Sequence, residues 1–365
     1  MKLRASALAL VLLVIGAARA HGQDWLFAQT IIDGEMWATD SGSRMLSVND
    51  GHPAPGGRAQ LFLGVAPGPV QLLFMGEAEH DAGAEGDEQF ELEYDLLVLR
   101  FVASPLAVVD VGKFPTPVGA FANRRFSTTN PLIGMPDMYS VSYPWGAEVS
   151  GASSHFDYRA AVVSLPATRE GYSPDPGPRP RPAFGAGVTP IPELRVGASA
   201  TWGSYLSEDV AGSIPVGSAW TDYDQRVLAF DTRFSRGYFE LRGELALSSY
   251  DVPTKSQTSD GVAFYLEAKQ TWTPRFFTAL RGERNDYPFI RPISATNWIA
   301  QNAVAYNAEV GVGFRAAREV LVKASYRGVW YDVAPSLSAA LPDGYAVALQ
   351  VSTNFDLTKL IERKR

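Results

Sequence analysis

The sequence predicts an all-β fold, a transmembrane antiparallel β-barrel of about sixteen strands, and three observations predict it. Apolar and polar residues alternate along segments of about ten residues, the length a tilted strand needs to cross a bilayer. Short connections between these segments alternate with long ones. The 365 residues include 8 Trp, 15 Tyr and 19 Phe, and many aromatics sit at segment ends, where the girdles of a membrane barrel belong.

The composition narrows the alternatives. Hydrophobic residues make up 46% and charged residues 19%, with a mean hydropathy of −0.06. After the leader no run of about 20 apolar residues is present, which excludes a helical membrane protein. The aromatic and β-branched content excludes a disordered chain. With 0 Cys there is no disulfide framework, thiolate nucleophile, thiolate metal site or lipid-modified N-terminal cysteine. The net charge of −7 argues against nucleic acid as a partner.

Residues 1–20 read as a secretory signal peptide. Lys2 and Arg4 form a positive start, residues 5–18 are apolar, and Ala18, Arg19 and Ala20 form an A-x-A cleavage site. Cleavage near Ala20 leaves a chain beginning at His21. Losing three positive charges with the leader takes −7 to −10. Residues 21–355 are then one barrel domain, and 356–365 a short charged tail.

Strands are expected near 27–39, 58–66, 70–79, 89–103, 106–113, 147–154, 156–166, 182–189, 194–206, 225–235, 237–250, 261–272, 276–287, 303–315, 320–331 and 344–355. Fourteen to eighteen strands satisfy the same pattern. The alternation is plain in Phe239, Leu241, Leu245 and Leu247 against Glu240, Arg242, Glu244 and Ser248. It recurs in Tyr306, Ala308, Val310, Val312 and Phe314 against Asn307, Glu309 and Arg315. Trp202, Trp272, Trp330, Tyr250 and Tyr287 are girdle candidates. The long connections are 40–57, 80–88, 114–146, 167–181, 207–224, 251–260, 288–302 and 332–343. The Pro-rich stretch 173–182 (SPDPGPRPRP) lies between strands and reads as a stiff outer loop.

Together these features resemble the outer-membrane porins of Gram-negative bacteria, over the whole mature chain in pattern. In residues the resemblance is narrower. Residues 111–119 (VGKFPTPVG) resemble the segment after the fifth strand of the phosphate-selective and related specific porins. The last strand, with Tyr345, Val347, Leu349, Val351 and Phe355, is similar to the aromatic-ended signal by which barrels are handed to the assembly machinery. Porins usually stop there; here DLTKLIERKR follows, which reads as a short periplasmic helix. The resemblance implies a cell outer-membrane location and a diffusion channel for small hydrophilic solutes, not an enzyme. It implies outer-membrane lipid, small polar solutes and the barrel-assembly machinery as partners, a homotrimer as assembly, and no cofactor. The alternatives are an outer-membrane enzyme, or a structural or export barrel without an open channel.

In porins the third outer loop folds inward and narrows the lumen, so 114–146 is the constriction candidate. Its residues suit that place. Phe114, Phe121, Phe126, Tyr139, Tyr143 and Trp145 need something to pack on, and Pro115, Pro117, Pro131, Pro136 and Pro144 stiffen it. Lys113, Arg124 and Arg125 outnumber Asp137. Arginine suits oxyanions because its fork is always charged, so these residues can give a modest anion preference. Equally, Arg124 and Arg125 can pair with lumen carboxylates and only dock the loop.

The expected wall is acidic first and more basic later. Taking alternate residues as inward gives Glu77, Glu79, Glu91, Glu93, Asp95, Asp110, Glu148 and Asp157. From the ninth strand on it gives Arg195, Arg233, Arg242, Lys269, Arg281, Arg315, Lys323 and Arg327, interleaved with Asp231, Glu240, Glu244, Glu267, Glu283 and Glu309. Opposed signs would set a transverse field across the pore; interleaved signs would form cross-strand pairs.

Other motifs carry less. The histidines His21, His52, His80 and His155 lack metal-ligand spacing, and no metal site is expected. His155 after Ser153 and Ser154 sits in an expected turn, not in a catalytic setting. Residues 77–88 (EAEHDAGAEGDE) lack calcium-loop spacing and read as a solvated acidic loop. GVGFRA at 311–316 opens no helix, so its glycines belong to a strand.

Overall fold

The computed structural model describes residues 25–40, 53–80, 90–120, 124–136, 138, 142–167, 177–294, 297–334 and 341–362. The expected leader at 1–20, His21, His52, the loop core at 41–52, most of the acidic stretch at 81–89, and residues 168–176 lie outside these.

Among the described residues, sixteen strands close into one antiparallel barrel, each bonded to its neighbours in sequence. They are β1 (Leu26–Thr39), β2 (Ala54–Val65), β3 (Val70–His80), β4 (Phe90–Ser104), β5 (Ala107–Lys113), β6 (Trp145–Ala152), β7 (Phe156–Val163) and β8 (Arg181–Ile191). There follow β9 (Leu194–Ser204), β10 (Asp224–Arg236), β11 (Phe239–Tyr250), β12 (Ser259–Thr273), β13 (Phe276–Ser294), β14 (Asn297–Arg315), β15 (Val320–Asp332) and β16 (Gly344–Asp356). Pairs from Gln29 with Asp356 to Thr39 with Ala346 seal β16 onto β1. Closure leaves the sheet without a terminal edge strand, as lipid requires. A short helix α1 (Leu357–Glu362) ends the described chain, and the backbone N–H of Ala28 donates to Thr358 Oγ1 at 2.9 Å.

The protein is inside out relative to a water-soluble one. On β16, Val347, Leu349 and Val351 are 49%, 51% and 45% exposed, while Ala348, Gln350 and Ser352 are 2%, 3% and 0% exposed. The apolar residues form the jacket and the polar ones face the lumen. Trp202, Trp272 and Trp330 stand on the jacket as expected of a girdle. Tyr250 does not: it is 1% exposed and accepts a hydrogen bond from Gln225 Nε2 at 3.0 Å.

Two departures from simple alternation matter for the lumen. In β4 a bulge sets Met75 opposite Leu96 and Gly76 opposite Tyr94, so Asp95 is the extra residue. Above it Glu91 and Glu93 stand opposite Glu79 and Glu77; below it the phase inverts, with Val98 inward at 1% exposure and Leu99 outward at 54%. Asp95 keeps the inward phase of Glu91 and Glu93, and the bulge turns over the residues that follow it.

The second departure is the β13–β14 hairpin, expected to end near 287 and 303. It continues to Ser294 and Asn297. Pro288 and Pro292 read as strand breakers, but β12 stops pairing with β13 at Asn285, so above that point β13 is an edge that tolerates proline. The extension is held by packing. Ile290 and Trp298 join Tyr205, Leu206, Val210, Tyr250 and Val252 in a buried cluster, and Trp298 Nε1 donates to the Ser213 carbonyl at 2.7 Å. The expected loop at 207–224 supplies part of that cluster and forms two short 3-10 turns, Glu208–Ser213 and Trp220–Asp222.

Candidate functional site

The third loop, between β5 and β6, lies inside the barrel. Some of its polar backbone groups pair within the loop, as the N–H groups of Thr129 and Asn130 do with the Phe126 carbonyl, and others are satisfied by the wall. The Gly119 N–H donates to Ser199 Oγ on β9 at 3.0 Å, and the Ala120 N–H to Glu244 on β11 at 2.9 Å. Arg159 on β7 donates to the Gly119 carbonyl at 3.0 Å. The N–H groups of Ile133 and Gly134 both donate to Glu309 Oε1 on β14, at 3.2 and 3.0 Å. Ser127 Oγ donates to Asp33 on β1. Lys323 on β15 donates to the carbonyls of Ser127, Asn130 and Leu132 at 2.9, 3.1 and 2.8 Å.

The loop's apolar residues find their packing in the lumen too. Phe114, Val118 and Met138 join inward Val98, Ala161, Val163, Ala183, Val227, Ala229, Ala246 and Tyr265. That stretch of wall is apolar where simple alternation would have it polar. Phe126 sits edge-on to Phe62 at 5.2 Å. Trp145 instead faces outward at 50% exposure, and Phe121, Tyr139 and Asp137 lie outside the described residues.

The candidate residues separate into distinct settings. Arg125 is bound by two carboxylates, Glu77 at 3.2 Å and Asp95, and its guanidinium lies 4.8 Å from the Tyr143 ring. Arg124 is 8% exposed and reaches Glu267 on β12 at 2.7 Å. Lys113 requires a correction to the expected trio. It pairs in the ladder with Leu97 and Trp145, and its Nζ donates to the Tyr94 carbonyl at 2.5 Å and lies 4.6 Å from that ring. Its charge lies on the jacket side, held by Tyr94, because Lys113 shares the outward phase of Val111 and of its ladder partner Trp145.

The wall candidates differ as well. Glu91 and Glu93 are exposed on the acidic side, next to Asp95. Arg281 is 0% exposed and bonded to Glu267, Glu283 and Glu309, so its charge is spent within the wall. Lys323 holds the loop. Arg327 reaches toward the Met135 carbonyl at 3.5 Å. Lys269 pairs with Glu240 at 2.8 Å, and Arg242 with the same carboxylate at 3.3 Å.

The loop divides the lumen. On its long-loop side is a cavity of about 260 Å³ in which Asp33, Glu35 and Glu79 face Arg58, Arg125 and Arg327. On its short-turn side is a larger one of about 870 Å³, reaching the turns at Pro105, Ser153 and Thr189. Its lining carries Arg124, Arg159, Arg195, Arg233, Arg242 and Lys269 against Asp157, Asp231 and Glu244. Sequence reasoning missed Asp33, Arg58 and Arg159, although each lies on the inward phase of its strand. Ser154 Oγ and His155 Nδ1 are 2.7 Å apart on an exposed turn. Among the described residues no cluster of potential metal ligands occurs.

A charged lumen crossed by an inward loop, within an apolar jacket, defines a porin-like outer-membrane barrel. Solved structures share this fold. OmpT, an outer membrane protein of Vibrio cholerae, is 11% identical with a TM-score of 0.60 over 91% of this chain and 99% of its own. The anion-selective porin from Comamonas acidovorans is 11% identical with a TM-score of 0.59 over 90% and 99%. The outer membrane channel DcaP of Acinetobacter baumannii is 12% identical with a TM-score of 0.64 over 90% and 97%. At such identities the likeness shows the fold alone. No family profile matches the sequence, and no curated protein matches it.

Proposed function

We propose that this protein is an outer-membrane porin, a passive channel for small hydrophilic solutes with a modest anion preference. One observation carries the reading: a sixteen-stranded barrel whose interior is largely polar and holds cavities of about 870 and 260 Å³ on the two sides of an inward loop. A barrel of this strand number is wide enough for an aqueous passage, unlike one of eight strands. The loop narrows that passage, and few waters remain there to screen charge. The charges that set selectivity in this reading are Arg124, Arg242 and Lys269 on the short-turn side. Arg125, Glu91, Glu93 and Asp95 form the opposing acidic wall with its neutralising arginine. Lys323, Arg281 and Arg327 position the loop and the wall.

The leader at 1–20 would direct export, and the apolar jacket would sit in the outer-membrane lipid. The short turns would face the periplasm together with α1. A homotrimer is the assembly we favour, since OmpT of Vibrio cholerae is described in a trimer form. No catalytic role is proposed: the Ser154–His155 pair lies on an exposed turn. The test is conductance of the purified protein in a planar bilayer. Stepwise, ohmic openings are expected; a correctly folded barrel that gives no steps overturns the channel.

A further inference from the structure

We propose that the cavity on the short-turn side of the third loop is a saturable binding site for a small divalent oxyanion, seated between Arg124, Arg233 and Arg242. This deepens the channel reading and rests on it only in requiring a solvent-accessible lumen.

The argument starts from register. Arg233 on β10 stands directly opposite Arg195 on β9 and Arg242 on β11. Directly opposed side chains have Cβ atoms about 4.5–5.5 Å apart, and like charges in that relation repel. Arg195 is compensated, bonded to both oxygens of Asp157 at 2.7 Å and also to Asp231. The other two are less well compensated. Arg242 shares Glu240 with Lys269. No carboxylate among the described residues lies within salt-bridge distance of Arg233.

The loop adds a third guanidinium. Arg124, 8% exposed, spends Nη2 on Glu267, and its buried Nη1 has no hydrogen-bond partner among the described residues. Arg242 Nε is buried and unpartnered in the same way. All three arginines line the one cavity. Buried donors without acceptors are costly, and planar guanidinium forks match the oxygens of an oxyanion. Two negative charges offset most of the excess of six cationic side chains over three carboxylates in the lining, and several oxygens can reach donors from more than one arginine. A halide offers one point of contact.

The mature protein folded in detergent is titrated with sodium sulfate in a chloride background by calorimetry. One saturable site is expected. Arg233→Gln/Arg242→Gln should weaken sulfate binding about tenfold or more, the loss expected for a charge-assisted contact. Arg226→Gln, on an exposed arginine paired with Asp251, should leave it unchanged. Heat-modifiable gel mobility reports folding of each variant, and the single Arg233→Gln replaces the double variant if that one misfolds. Linear, unsaturable heats, or saturable binding that the folded arginine variant retains in full, overturn the site. Conductance steps without sulfate saturation remove the site and keep the channel. Sulfate saturation in a barrel that never conducts keeps the site and removes the channel.

Discussion

Arg124 and Arg125 are adjacent in sequence and face opposite sides of the lumen. Arg125 meets the acidic wall of β3 and β4, where Glu77 and Asp95 neutralise it. Arg124 meets β12, where its one carboxylate, Glu267, is shared with Arg281. One arginine is over-provided with negative charge and the other under-provided. A charged loop therefore has a docking side and a working side, and the counter-charge on the wall decides which is which. The same difference appears in the cavities: signs balance on the Arg125 side and are unequal on the Arg124 side.

Breaking the docking side should have the largest effect. Arg125→Ala leaves Glu77 and Asp95 facing each other inside the barrel, with Glu93 opposite Glu77 in the ladder. Removing one partner of a buried ion pair costs about 3–5 kcal/mol. Reversible unfolding in urea with lipid vesicles should show a loss of that order. Single-channel conductance should rise as the loop lifts. A fully stable variant of unaltered conductance would mean that the loop is held elsewhere.

The outward face supplies a scale for that loss. Val351 is on the jacket, one residue from lumen-facing Gln350 and Ser352. Val351→Arg should cost about 2–4 kcal/mol if it meets lipid near mid-depth. A loss below about 1 kcal/mol would place Val351 away from the hydrocarbon, since the cost of arginine falls to that level near the interfaces.

Lys323 tests the loop's other anchor. Its ammonium is bonded to three loop carbonyls, with no carboxylate within ion-pair distance among the described residues. Lys323→Met keeps the apolar stem and removes the donors. Each buried carbonyl left unpaired costs about 1–3 kcal/mol, less where water replaces the ammonium. The expected result is a smaller stability loss than for Arg125→Ala, with noisier open-channel current. A quiet channel of unchanged stability would show that Lys323 does not hold the loop.

Much of the fold was legible because a barrel puts lipid on one side of every strand and water on the other. That contrast is written directly into alternation, as at Gln350 and Val351. The inward loop was legible through the resemblance to porins, with its aromatic residues and length in support. What alternation cannot express is a change of phase or a tertiary choice. The bulge at Asp95 inverts β4 without any local signal. Pro288 and Pro292 look like strand ends until Trp298 is seen packed on the 205–214 segment. Nothing around positions 124 and 125 distinguishes two arginines whose partners come from β12 on one side and β3–β4 on the other. Lys113 looked equivalent to them in the chain, and Tyr94 removed it.

The smallest structural effect and the most informative electrical one should come from Arg124→Gln. Glu267 keeps Arg281 as a partner at 3.4 Å, so no buried carboxylate is stranded. Stability should change by about 1 kcal/mol or less, in contrast to Arg125→Ala. The short-turn cavity would lose one of its six cationic side chains, and that excess is what favours anions in a poorly screened passage. Reversal potentials in a salt gradient should show a lower anion-to-cation permeability ratio for Arg124→Gln, and Arg125→Gln should move the ratio less. Equal shifts for the two variants would erase the distinction between a docking arginine and a working one. An unchanged ratio for Arg124→Gln would put the narrow part of the passage on the long-loop side, where the charges balance.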